Sequence, residues 1–285
     1  MPQLLGDCII AIPLLNQLTI QYNVSIVCND YTFNILSHIF DNAKIFNFTS
    51  KIPNQNVIID LLGDDKSVHF IERFDAKITI GFPDAGYNYS SMLPLPYVHG
   101  DNQATEIYLA SLSFLEVPRP AFLNFSISKK WLFKHQNLIL IAPGAGNLDR
   151  CFSIRSFVDL ANQLSLSFNV SFILGPSEHH LAKFINNQYE VIYTNHIETT
   201  LQIISKARMI ISSEGGFMHL AAAYGIPMIG LFKIASPKNW FPYSNPLQVA
   251  IGNGGNNYNN LKLKVVFPLE EIISKTRRIY ETVGN

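Results

Sequence analysis

Residues 207–232, ARMIISSEGGFMHLAAAYGIPMIGLF, limit the fold more tightly than any other stretch of the chain. A branched apolar run (Met209, Ile210, Ile211) ends in polar residues and two glycines, and an alanine-rich helical segment (218–224) follows. Gly225 and Pro227 break that helix ahead of a second apolar run, 228–232. Strand, glycine turn, helix, strand is one parallel βαβ unit with its turn at the carboxyl edge of a sheet. Such a turn suits an anion. Gly215 and Gly216 let the backbone approach a ligand, and the first N–H groups of the next helix point at it. An acid, Glu214, and an imidazole, His219, stand beside the turn. The spacing is neither the Gly-x-Gly-x-x-Gly of dinucleotide folds nor the Gly-Lys-Ser/Thr of a P-loop.

The same alternation runs through the rest of the chain. In the first half, residues 24–28, 44–48, 57–61 and 77–81 read as strands, and 9–21, 31–40, 66–74 and 103–115 as helices. A breaker-rich stretch, 116–128 with Pro118 and Pro120, reads as a linker. The second half places strands at 138–142, 170–174 and 190–193, with helices at 153–167, 178–187 and 199–206, and so reaches the βαβ unit. A polar glycine-rich loop (252–260) and an amphipathic helix (268–283) close the chain. Alternating strands and helices imply parallel sheets covered on both faces. The expected division is 1–125, 126–267 and a C-terminal helix at 268–285 that packs back across the two domains.

Composition removes several classes of function. The 21 basic and 21 acidic residues cancel, which disfavours generic nucleic-acid binding. Cys8, Cys28 and Cys151 are too few and too scattered for a disulfide framework or a cysteine-based zinc site. The apolar opening lacks a basic region and is interrupted by Asp7 and Pro13, so it makes a poor signal peptide. No run reaches the length of a membrane span. The expectation is a cytoplasmic protein, free to associate peripherally with the inner face of the membrane.

Open α/β domains bind ligands at their carboxyl strand ends, and four turns stand there. Residues 143–150 (PGAGNLDR) bring Gly144, Ala145 and Gly146 together with the guanidinium of Arg150. Residues 175–178 (GPSE) offer the carboxylate of Glu178 at a helix start, and 213–219 hold Glu214, Gly215, Gly216, Met218 and His219. Leu5-Gly6-Asp7 puts an aspartate at the mouth of a helix. Singly, each has a plain reading: an N-cap for Asp7, a helix-start acid for Glu178, a hydrogen-bonded core histidine for His219. Their shared position at strand ends favours a site instead. Together they offer anion-binding amides, a cation, a ribose acceptor and a base.

Taken in order, the segments LLGDCIIAIPLLNQL, IIDLLG, IAPGAGNLDRCFSIRSFVDLANQL, FILGPSEHH, SSEGGFMHLAAAYGIPMIGLF and SPKNWFPY resemble the ADP-heptose:lipopolysaccharide heptosyltransferases, glycosyltransferase family 9. The resemblance spans nearly the whole chain and is most specific over 212–232. It implies a GT-B fold, two Rossmann-like domains facing a central cleft. It also implies an inverting transfer of a sugar from a nucleoside-diphosphate donor, ADP-heptose favoured, to a glycan or glycolipid hydroxyl, with no metal and no cofactor. By position Asp7 matches the family's general base, and Arg150 a lysine at the donor. Glu178 matches a ribose-binding glutamate, and Glu214, Gly215, Gly216, Met218 and His219 the diphosphate-binding stretch. In the family, acceptor contacts come mainly from the N-terminal domain, where 62–73 holds Lys66, His69 and Arg73; a solvated helix face is the plain reading of those side chains.

There are departures. Glu214 stands where the family has aspartate, Gly215 where it has serine, Phe217 where it has proline and Arg150 where it has lysine. Residues 1–5 alone precede Gly6, where the family carries a hydrophobic strand. Two alternatives therefore stay open: a relative using another nucleotide sugar, a nucleotide-sugar epimerase included, and a non-catalytic nucleotide-binding relative without a working Asp7.

Overall fold

The computed structural model describes residues 5–39, 43–94, 103–125, 137–242, 245–252 and 266–284. The chain divides into two compact units, Met1–Lys129 and Lys130–Asn285. Among the described residues no helix is long and apolar enough to cross a membrane.

The first unit runs α1 (Leu5–Ile10), α2 (Ile12–Gln21), β1 (Ser25–Cys28), α3 (Asp30–Ile39), β2 (Lys44–Asn47), β3 (Val57–Ile59), α4 (Asp65–Ile71), β4 (Ile78–Gly81), β5 (Ser91–Met92) and α5 (Ala104–Leu109). Its strands form two parallel sheets, β1-β2 and β3-β4-β5. The single helix expected over 9–21 is two helices, and the first begins at Leu5. Asp7 therefore stands inside the first turn of α1, half-buried, and is not its N-cap. The helix expected over 103–115 tightens after α5 into a 3-10 turn, Ala110–Leu115, which ends at Glu116 in the left-handed region (φ 54°). Cys8 and Cys28 share a small apolar cluster with Leu15, Ile26 and Leu36. Burial there pushes their thiols up to about 12 and about 11.

In the second unit the elements are β6 (Leu138–Ala142), α6 (Ile154–Leu164), β7 (Asn169–Leu174), β8 (Glu190–Tyr193), α7 (Ile197–Ile204), β9 (Met209–Ser213), α8 (Gly216–Ala223), β10 (Met228–Phe232), α9 (Pro237–Trp240), β11 (Gln248–Gly252) and α10 (Leu269–Gly284). Among the described residues six parallel strands form one sheet in the order β11-β10-β9-β6-β7-β8. The α/β reading holds here throughout. Residues 178–187, expected as an α-helix, are a 3-10 helix, Pro176–Phe184. The loop expected at 252–260 falls outside the described residues beyond Gly252.

Helix α6 shows why this half folds as it does. Ser153 caps it, Oγ accepting the Ser156 N–H at 3.2 Å, and Phe157, Leu160, Ala161 and Leu164 repeat at helical spacing on its buried face. They pack with Ile139, Ile141, Phe172, Ile211, Ile229 and Ile272. Each such side chain contributes about 1.5–3 kcal/mol when fully buried, so this apolar layer is the largest favourable term holding the sheet. The final helix, α10, packs on α6 and β10. Arg208 fixes its far end, stacking 4.0 Å over the Tyr280 ring and donating to the Tyr280 carbonyl at 3.1 Å.

The strand order reverses between β6 and β9: from β6 the sheet grows through β7 to β8, and from β9 through β10 to β11. From β6 the chain goes on to β7 and from β9 to β10, on opposite sides of the reversal, and such a switch point is where open α/β sheets bind ligands. Register sets Ala142 beside Ser212, so the two glycine turns leave the sheet side by side.

Candidate functional site

The switch point collects the candidates of the second unit. Ser213 Oγ donates to the Pro143 carbonyl at 2.8 Å and ties the end of β9 to the turn after β6. A Cβ on Gly215 would lie 3.3 Å from Ala145 Cβ, so the turns are in close contact. Gly144 meets Glu178: a Cβ there would stand 2.1 Å from Glu178 Cγ. Glu178 is buried, receiving the Gly175 N–H at 2.6 Å and Ser177 Oγ at 2.9 Å. Its carboxylate thus caps its own helix while also closing over Gly144. Gly146 differs from Gly144, since a Cβ there would meet nothing within 4 Å among the described residues.

Arg150 ends a 3-10 turn, Leu148–Arg150. Its Nη1 donates to both oxygens of Glu214, at 3.2 and 3.4 Å. The Glu214 side chain is 5% exposed and that of Arg150 39%, so the pair presents the guanidinium to solvent and hides the carboxylate. Two residues expected to act separately on a ligand therefore act as one unit. A guanidinium has five N–H donors, and this contact engages one nitrogen.

Helix α8 begins at Gly216 with Gly215 as its N-cap. Met218 is fully buried, and a Cβ on Gly230 would sit 2.7 Å from its Sδ, so it packs against β10. His219 is buried as well, its Nδ1 without a hydrogen-bond partner among the described residues. Burial, reinforced by the nearby Arg150 charge, pushes its pKa down to about 4. The unfolded imidazole takes a proton below about pH 6.5 whereas the folded one refuses it until about pH 4, so His219 costs nothing above pH 6.5 and destabilises as pH falls. At 1.36 kcal/mol per unit the loss by pH 4 is about 3 kcal/mol. Urea unfolding of the wild type and His219→Asn at pH 7, 5.5 and 4.5 checks this: the wild type should lose more stability across the series. Parallel pH profiles would rule it out.

Two contributors were not picked out from the sequence. Lys233, just past β10, donates Nζ to the Cys151 carbonyl at 2.8 Å and brings a second cation to this edge. Burial raises the Cys151 thiol pKa. Asp60 plays the comparable part in the first unit. Buried at the end of β3, it accepts from Leu62 N–H (2.9 Å), Gly63 N–H (3.1 Å), Ser67 Oγ (2.8 Å) and Tyr89 Oη (2.6 Å). Gly63, at φ +67°, supplies the left-handed step of that turn. The Asp64–Ser67 capping box then starts α4.

Asp7, Lys66, His69 and Arg73 all belong to the first unit. Lys66, His69 and Arg73 are exposed and border one surface depression with Phe48 and Phe70. Arg73 stacks 4.8 Å over Phe70 and donates to the Phe48 carbonyl at 3.2 Å, and His69 Nδ1 lies 2.6 Å from the Asp65 carbonyl. Among the described residues no group of three His, Cys, Asp or Glu side chains is placed to hold a metal ion.

Residues 101–268 match the model of glycosyltransferase family 9 (heptosyltransferase). The chain belongs to that family. Over 121 residues it is 27% identical to the lipopolysaccharide core heptosyltransferase OpsX of Haemophilus influenzae, a match covering 40% of this chain and 35% of that protein. The matched region spans little more than a third of the length of the curated relatives. The family 9 glycosyl transferase of Veillonella parvula has a similar fold, with a TM-score of 0.81 at 14% identity over 99% of this chain and 96% of that one. E. coli heptosyltransferase WaaC with ADP gives 0.75 at 16% identity over 98% of both chains. The fold of this family 9 member is GT-B.

Proposed function

We propose that the protein is an inverting glycosyltransferase that moves a sugar, heptose favoured, from a nucleoside-diphosphate donor to a hydroxyl of a lipopolysaccharide core or other surface glycan. The observation that carries this reading is the convergence at one switch point of two glycine turns, the N-terminus of α8, the Arg150–Glu214 pair and Glu178. Family membership and the ADP named with the similar WaaC structure support a donor nucleotide there.

In the transfer, the acceptor oxygen forms a bond to the anomeric carbon as the bond from that carbon to the diphosphate oxygen breaks. The electron pair leaves with the nucleoside diphosphate, and Asp7 takes the acceptor proton. Negative charge grows on the diphosphate. The first-turn amides of α8 and the guanidinium of Arg150 are already fixed to receive it, so they stabilise the transition state without reorganising. Glu178 accepts from a ribose hydroxyl, and Lys66, His69 and Arg73 meet an anionic glycolipid acceptor, consistent with peripheral work at the inner face of the cytoplasmic membrane.

These protein groups do the neutralising that a divalent cation does elsewhere. Transfer from ADP-heptose to heptose-deficient lipopolysaccharide should therefore proceed undiminished in EDTA. Loss of turnover on chelation, restored by magnesium or manganese, would contradict this, and no transfer from any nucleotide sugar would defeat the proposal itself.

A further inference from the structure

Along the carboxyl edge of the second sheet, polar groups stand in the order of the strands that carry them. Glu178 follows β7, the turn with Gly144 follows β6, Gly215 and Gly216 follow β9, and Lys233 follows β10. Those four strands are successive neighbours in the sheet, so Lys233 is at the end remote from Glu178. Its Nζ donates to the Cys151 carbonyl at 2.8 Å. This ties the last part of the turn after β6 to the end of β10, with β9 between the two strands. The first part of the same turn, Gly144, lies against Glu178, and Ala145 meets Gly215 at the start of α8. One turn thus links carboxylate, helix N-terminus and ammonium.

The two cations of this edge differ. Arg150 has a counter-ion in Glu214. Lys233 is half-buried, and among the described residues it makes no ion pair, its bond going to a neutral carbonyl. An ammonium has three N–H donors, and a charge drawn partly out of water is stabilised by an anion. We propose that Lys233 is a further donor-binding residue: it takes the sugar-side phosphate of the nucleoside diphosphate and makes the site select a diphosphate over a monophosphate. This role rests on the donor reading above, with the ribose at Glu178. From there the ligand passes the glycine turns with its first phosphate and reaches the end of β10 with its second. A monophosphate stops short of Lys233. The second phosphate carries the oxygen that leaves the sugar, so Lys233 also stands where charge grows during transfer.

Calorimetric titration of the full chain with ADP and with AMP tests this on the wild type, Lys233→Gln, Lys233→Met and Lys233→Arg. Glutamine removes the charge and keeps an N–H donor for the Cys151 carbonyl; methionine removes both. Each should weaken ADP about tenfold or more, the value of a hydrogen bond to a charged group, and AMP less than about twofold. Lys233→Arg keeps the charge and should hold ADP within about threefold of the wild type. Equal losses for ADP and AMP would reduce Lys233 to a tie that shapes the turn, and no loss for either would also overturn the role. If the wild type binds neither nucleotide, the donor reading fails and this role with it. If it binds ADP and the neutral variants keep its preference over AMP, only the role of Lys233 fails.

Discussion

Asp7→Asn lowers the rate of sugar transfer about 100- to 10,000-fold, the usual contribution of a general base, while nucleoside diphosphate affinity stays near the parental value. The two effects separate because the groups proposed to hold the diphosphate all belong to the second unit and Asp7 to the first. An amide keeps the shape of the carboxylate but does not take the acceptor proton. Stability changes little: Asp7 is half-buried in the first turn of α1, where a carboxylate favours the helix dipole by about 0.3–1 kcal/mol. Single-turnover transfer and nucleotide titration on the same folded variant separate the terms. Parental transfer by Asp7→Asn would make that aspartate a helix-start acid only.

Arg150→Met should lower transfer about 100- to 1,000-fold, the range seen when a fixed charge-stabilising group is removed. It should also destabilise the fold, because Glu214 keeps a carboxylate only 5% exposed after losing the guanidinium beside it. The cost is about 1–3 kcal/mol, below that of a fully buried pair, since solvent screens the outer side of Arg150. Adding Glu214→Gln to Arg150→Met should restore most of the stability and none of the rate. Denaturant midpoints and single-turnover rates of both single variants and the double variant complete the cycle. Recovery of rate in the double variant would mean that Arg150 serves only to neutralise Glu214.

Local chemistry was legible in the sequence wherever it was also sufficient. The βαβ unit from β9 to β10 reads directly from residues 207–232, because a branched run, two glycines and an alanine-rich segment leave little choice of local structure. The helix at 153–167 is equally plain from its apolar spacing, although it ends at Leu164. Short elements were not legible: β5 has two residues, and β11, QVAIG, is held by pairing with β10, which its own sequence does not announce. Distance hid the rest. Arg150 and Glu214 are 64 positions apart and meet only because β6 and β9 are neighbours across the strand-order reversal. The close packing of Met218 on the sheet depends on Gly230 in the next strand. Asp60 reads as one acid in an apolar run until folding brings Tyr89 to it. Lys233 follows an apolar strand and shows its place only through the Cys151 carbonyl.

If the switch point of the second sheet holds a nucleoside diphosphate, thermal unfolding of the unmodified chain with ADP, UDP, GDP and CDP will show it. ADP should raise the midpoint most, corresponding to about 2.7 kcal/mol of added stability at a hundredfold excess over its dissociation constant, and Arg150→Met should blunt the shift. No shift with any of the four at millimolar concentration would contradict nucleotide binding at that switch point.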